Sequence, residues 1–166
     1  MRDIGAAMTP HNAFLLLQGL ETLNLRMQQH VSNAQAMVSW LQQHEAVSWV
    51  NHPDIDAEPH TKELFPKGAG SMLTFGVTGG REAGAAFINA LQLSSNLANV
   101  GDSRTLVLHP GSTTHSRLSE QDLVTAGISA DLIRVSVGIE NLKDIQADFN
   151  LGLRAAAKVV AAQAER

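Results

Sequence analysis

Leu132-Ile133-Arg134-Val135-Ser136-Val137, closed by Gly138, is the stretch whose alternation sets the architecture. Period-two spacing places Ile133, Val135 and Val137 on one face of a strand and Leu132, Arg134 and Ser136 on the other. The apolar face needs a layer of helices. Arg134 then projects from the opposite face, where its planar fork of donors suits a carboxylate held bidentately. It would also suit an ion pair with a nearby Asp or Glu at a sheet surface, and spacing alone favours that plainer use.

The helices lie on either side of this strand in the chain. Downstream, Leu142, Ile145, Phe149, Leu153, Ala157 and Val160 recur at steps of three or four, which predicts an amphipathic helix with an alanine-rich end that frays near Arg166. At the other end of the chain, Thr9-Pro10 reads as an N-cap with proline at the first helical position. Leu16, Leu20, Leu23, Met27, Val31, Ala34, Val38 and Leu41 then follow at helical steps with no intervening proline, predicting one helix from Pro10 to about His44. At 1.5 Å per residue that is on the order of 50 Å, longer than so small a domain covers, so part of the helix is expected to pack on something outside this chain.

Between these helices, Val47–Val50, Ser71–Val77 and Thr105–Leu108 are further strand candidates. A polar connection over residues 51–70, with Pro53, Pro59 and Pro66, reads as an exposed loop. Thr78-Gly79-Gly80 turns the chain into a helix from about Arg81 to Gln92. Ser119-Glu120-Gln121-Asp122 is a capping-box variant opening a short helix closed by Gly127. The mixture predicts an α+β domain: a small, mostly antiparallel sheet, helices on one face, and a long N-terminal helix.

Composition narrows the function. The 166 residues are 44% hydrophobic, enough for one domain with a core, and the net charge of −4 is spread without blocks of like charge. That pattern points away from nucleic acid and anionic membranes. The absence of cysteine excludes disulfides, thiolate metal sites and cysteine nucleophiles. The start has no apolar signal region and no run approaches the roughly 18 apolar residues of a membrane span, so a cytoplasmic protein is expected. His109-Pro110-Gly111-Ser112-Thr113-Thr114-His115-Ser116 is rich in imidazoles and hydroxyls. Yet its two histidines match no metal spacing and no G-x-S-x-G elbow presents a serine, so a hydrogen-bonded turn is the plainer reading. Gly68, Gly70, Gly79 and Gly80 form no phosphate loop and read as turn glycines.

Several blocks together resemble one family. Asp3-Ile4-Gly5-Ala6-Ala7, Asn12–Leu23 with Arg26-Met27, Pro66-Lys67-Gly68-Ala69-Gly70-Ser71, Leu97-Ala98-Asn99-Val100-Gly101-Asp102, the His109–Ser116 block and Leu132–Glu140 are similar, in order, to blocks of the Cys/Met metabolism enzymes that use pyridoxal phosphate (PLP). The Leu-Ala-Asn-Val-Gly-Asp form is most like the O-acetylhomoserine sulfhydrylase branch. The resemblance implies that residues 1–166 are the C-terminal domain of a fold-type-I transferase, commonly a homotetramer, which exchanges the acetate of O-acetylhomoserine for sulfide or a thiol. It implies that Arg134 grips the substrate α-carboxylate, that Asn99 supplies a neighbouring polar contact, and that the His109–Ser116 block lines the approach to the site.

The departures limit what this chain does by itself. The family's cofactor lysine, in a Ser-x-Thr-Lys context, has no counterpart among Lys62, Lys67, Lys143 and Lys158, and Thr61-Lys62 is only an echo of it. His11 and His52 stand at positions where the family often has tyrosine. PLP is therefore expected in the complete enzyme and not on this chain alone, with a cofactor-binding domain, an amino-acid substrate and further copies in an oligomer as partners. Two readings follow: an inert substrate-carboxylate-binding portion of a sulfhydrylase, or a noncatalytic interaction domain that docks on a full-length relative.

Overall fold

The computed structural model describes residue 5 and residues 7–55, 58–113 and 118–165, with backbone alone for Glu120 and Val124. In chain order the elements are α1 (Pro10–Glu21), α2 (Leu23–Gln42), β1 (Val47–Asn51), α3 (Pro59–Leu64), β2 (Met72–Val77), α4 (Gly80–Ala90), β3 (Ser95–Asn96), β4 (Leu106–Leu108), a single 3-10 turn (Pro110–Ser112), α5 (Glu120–Thr125), β5 (Leu132–Ser136) and α6 (Leu142–Ala164).

The five strands form one sheet in the order β1-β2-β5-β4-β3. Every neighbouring pair is antiparallel except β3 with β4, which is parallel. The α+β architecture and mostly antiparallel sheet read from the sequence are therefore present. The alternation of β5 holds: Ile133, Val135 and Val137 are fully buried in the core, while Arg134 is half-buried on the other face. The core lies between that sheet face and α2, α4 and α6, with Met37, Leu41, Phe75, Phe87, Phe149 and Val135 at its centre. Phe87 stands edge-on to Phe75 and to Phe149, with ring centroids 5.5 and 5.4 Å apart, the arrangement that aromatic quadrupoles favour. Each such buried ring contributes on the order of 2 kcal/mol relative to its exposed state.

Local signals act as expected at several ends. Thr9 Oγ1 accepts the Asn12 N–H at 3.2 Å and Pro10 opens α1. Ser119 Oγ accepts the Asp122 N–H at 3.2 Å at the start of α5. Gly79 turns β2 into α4 at φ +105°, a conformation costly for any residue with a Cβ.

Three features differ from the sequence reading. The predicted single helix from Pro10 to His44 is two helices, interrupted at Thr22. The Arg26 guanidinium stabilises the interruption, donating to the Gly19 carbonyl at 2.9 Å and to Thr22 Oγ1. That carbonyl would have taken the Leu23 N–H in a continuous helix. Next, the polar connection contains α3, started by Pro59 at its first turn. Finally, α6 buries Ala156 where Ala157 was expected, because a stripe of strict four-residue steps drifts round a 3.6-residue helix.

The N-terminal stripe divides at this same interruption. Ala34, Met37, Val38 and Leu41 of α2 are core residues, whereas α1 buries nothing. Phe14, Leu15, Leu16, Leu17 and Leu20 are each more than half exposed. Four consecutive apolar residues reach every side of a helix, so α1 is apolar all round.

Candidate functional site

The sheet face away from the helices holds Arg134. The antiparallel register sets Arg134 directly between Thr74 on β2 and Leu108 on β4, and Thr74 in turn opposite Asn51 on β1. One transverse row, Asn51–Thr74–Arg134–Leu108, thus crosses four strands on a single face. A pocket of about 220 Å³ opens on the β1–β2 side of Arg134, lined by Asn51, Pro53, Met72, Thr74 and Arg134 among others. Among the described residues the Arg134 side chain makes no hydrogen bond and no ion pair; the pairs found are Arg104 with Asp102 and His52 with Asp54. The alternative use of Arg134, a surface pair with a nearby carboxylate, has no partner among these residues. A guanidinium held beside an open pocket with its donors uncommitted is suited to a carboxylate.

The strand that presents Arg134 is fixed at its far end from α2 and from the loops. His30, buried at the middle of α2, lies with Nδ1 2.7 Å from the Val137 carbonyl oxygen, so Nδ1 carries the proton. Asn33 Nδ2 donates to the carbonyls of Gly138 at 3.0 Å and Glu140 at 2.9 Å. The Glu140 carboxylate accepts the Thr105 N–H at 2.6 Å and the Thr105 hydroxyl at 2.8 Å, and Thr105 Oγ1 accepts the Gly138 N–H. Ser136, two positions from Arg134 on the same face, has a buried hydroxyl without a partner among the described residues.

The other predicted contact, Asn99, stands exposed in the loop between β3 and β4, where its Oδ1 accepts the Val100 N–H at 2.9 Å. It does not line the Arg134 pocket. In the same loop, hydrogen bonds from Arg104 hold the Asp102 carboxyl below its ordinary range.

His109 is a structural residue. Its buried ring lies under α4, so near Gly84 that a Cβ there would sit 2.8 Å from Nε2. Nε2 is 2.9 Å from the Ala130 carbonyl and must donate to it, which leaves Nδ1 to accept from the Ser112 hydroxyl at 2.8 Å. Thr113 Oγ1 donates to the His109 carbonyl at 2.8 Å. Burial pushes the His109 imidazole below its ordinary pKa, only partly opposed by the Ala130 hydrogen bond. The hydrogen-bonded turn is therefore seen as far as Thr113; Thr114, His115 and Ser116 lie outside the described residues. Among the described residues no group of three or more His, Asp or Glu is placed to hold a metal ion.

Sequence reasoning passed over Asn51, Thr74, His30 and Asn33. The available signals were polar residues at sheet positions that share the Arg134 face and polar residues interrupting the apolar side of a long helix.

All four lysines are exposed: Lys62 and Lys67 in the connection between β1 and β2, Lys143 and Lys158 on the outer side of α6. None lines the pocket at Arg134. Among the described residues there is thus no lysine amine lining the Arg134 pocket to receive an aldehyde cofactor, and this chain's residues do not by themselves fit PLP.

Comparison with known proteins accounts for that division. The chain is 46% identical over 159 residues to homocysteine synthase of Schizosaccharomyces pombe, an alignment covering 94% of this chain and 37% of that protein. It is 44% identical to O-acetyl-L-homoserine sulfhydrylase 1 of Thermus thermophilus, covering 92% of this chain and 37% of that one. Among solved structures it is similar to a putative O-acetylhomoserine (thiol)-lyase of Campylobacter jejuni that carries a pyridoxyl-lysine phosphate, with a TM-score of 0.77, 40% identity, and coverage of 92% of this chain and 37% of that one. It is also similar to cystathionine gamma synthase of Xanthomonas oryzae, with a TM-score of 0.79, 34% identity, and coverage of 95% and 41%. The chain spans little more than a third of the length of these relatives, and corresponds to their C-terminal part. Residues 1–154 match the family model described as Cys/Met metabolism PLP-dependent enzyme, and the chain belongs to that family.

Proposed function

We propose that this chain is the substrate-carboxylate-binding C-terminal portion of a PLP-dependent O-acetylhomoserine sulfhydrylase, inert until a cofactor-binding domain completes the site. The observation that carries the reading is Arg134, half-buried on the sheet face away from the helices, beside a pocket and without an acidic partner among the described residues. When bound, PLP supplies the electron sink for the amino-acid carbon chemistry. The work of this chain is to bind and orient. The Arg134 fork takes the α-carboxylate, the His30, Asn33 and Glu140 hydrogen bonds fix the strand end behind it, and Asn99 provides a polar contact from the β3–β4 loop.

The α1 helix supports the same reading. An isolated helix of 12 residues is marginal in water, and one apolar on every side is stable only when enclosed. We assign the enclosing surface to the cofactor-binding domain and, in the assembled enzyme, to a homotetrameric, cytoplasmic protein. In a mixture of this chain with the cofactor-binding domain of a sulfhydrylase, homocysteine formation from O-acetylhomoserine and sulfide is expected. Arg134→Ala is expected to raise KM for O-acetylhomoserine by at least a hundredfold, consistent with loss of a charge-assisted hydrogen-bonded pair. Activity unaffected by Arg134→Ala would refute the assignment.

A further inference from the structure

The row across the open face contains more polar side chains than Arg134. Asn51 and Thr74 follow it strand by strand, Thr74 directly opposite Arg134 and Asn51 directly opposite Thr74. All three border the same pocket of about 220 Å³, while Leu108, on the other flank of Arg134, does not. Among the described residues neither the Asn51 amide nor the Thr74 hydroxyl makes a side-chain hydrogen bond. His52, Pro53, Met72 and Leu73 form the rest of the wall beside them.

The geometry points to Asn51 and Thr74 as ligand-contacting residues that extend the Arg134 site, their amide N–H and hydroxyl donating to the carboxylate held by the guanidinium. The inference rests on the reading of Arg134 as a carboxylate clamp and adds the partners on β1 and β2. The chemistry is complementary. A carboxylate offers about four lone-pair sites, and a bidentate arginine uses two of them, leaving acceptor positions for neutral donors. The pocket lies on the side of Arg134 where Thr74 and then Asn51 stand, and the flank without a pocket is the apolar Leu108. Sheet register holds these groups, so their spacing does not depend on a loop.

Titration of the uniformly 15N-labelled chain with sodium acetate, against sodium chloride at equal ionic strength, tests this by NMR. The expected result is that the Arg134 Nε–H and Asn51 Nδ2 resonances shift along one isotherm. In the Asn51→Ala, Thr74→Val double variant the acetate dissociation constant should rise at least threefold, and in Arg134→Ala binding should vanish. If Arg134 responds while Asn51 does not, or the double variant binds acetate as the wild type does, the two residues lie outside the site and only the Arg134 reading survives. If Arg134 itself does not respond, both fall together. Because the key comparison is made in the unaltered chain, a folding defect in a variant does not decide the outcome.

Discussion

His30 Nδ1 stands 2.7 Å from the Val137 carbonyl oxygen, joining the middle of α2 to the end of the strand that presents Arg134. The bond spans 107 positions of sequence and ties the end of that strand to α2. His30→Ala is expected to lower unfolding free energy by about 3 kcal/mol, since it opens a cavity and strands a buried carbonyl. A urea titration at pH 7 measures it, and a change below about 1 kcal/mol would mean the strand end is held elsewhere.

His109 makes stability depend on pH near neutrality. Its folded pKa lies below the unfolded value of about 6.5, so the unfolded chain binds the proton more readily. The contribution of the neutral ring is complete above that value and is lost as pH falls below it. Urea midpoints are expected to drop between pH 7 and pH 5.5, and to drop less in His109→Gln, although that variant is less stable at pH 7.

Asp148 makes a different pH prediction. Its burial alone would raise the carboxyl pKa, but backbone N–H groups of Gln92, Leu93 and Ser94 donate to it at 2.6, 3.0 and 2.8 Å, and the net shift is downward. A depressed carboxyl stabilises the fold above its unfolded pKa of about 3.9 and loses that effect as pH falls through the folded value. Asp148→Ala should cost about 3 kcal/mol at pH 7, because the turn after α4 loses its acceptor. It should also reduce the steepness of acid unfolding, which circular dichroism against pH would show.

The α1 surface predicts association without stability. Leu16 and Leu20 are 56% and 59% exposed. Leu16→Gln with Leu20→Gln should leave the unfolding free energy of the isolated chain within about 0.5 kcal/mol per site. The same change should weaken binding to a cofactor-binding domain at least tenfold by sedimentation. Undiminished binding would place the contact away from α1.

The parts of this molecule legible in its sequence are those specified locally. Thr9-Pro10 and Ser119 are caps made by side chains within three residues of their partners, and Ile133, Val135 and Val137 announce their face by alternation. The break at Thr22 left no such trace, because it is stabilised by Arg26 reaching back seven residues to the Gly19 carbonyl. Two-residue β3 is too short for any period, and its parallel pairing with β4 is a tertiary fact. Arg134 was legible as a polar residue in an apolar strand. Asn51 and Thr74 were not, since their relation to it exists only through register across three strands.

The most direct measurement is absorption spectroscopy of the purified chain with added PLP, first alone and then with a sulfhydrylase cofactor-binding domain, followed by assay with O-acetylhomoserine and sulfide. No borohydride-reducible cofactor–lysine band is expected from the chain alone, and homocysteine formation is expected only in the mixture. A reducible band with the chain alone would contradict the proposed function, because one of Lys62, Lys67, Lys143 or Lys158 would then be holding the cofactor.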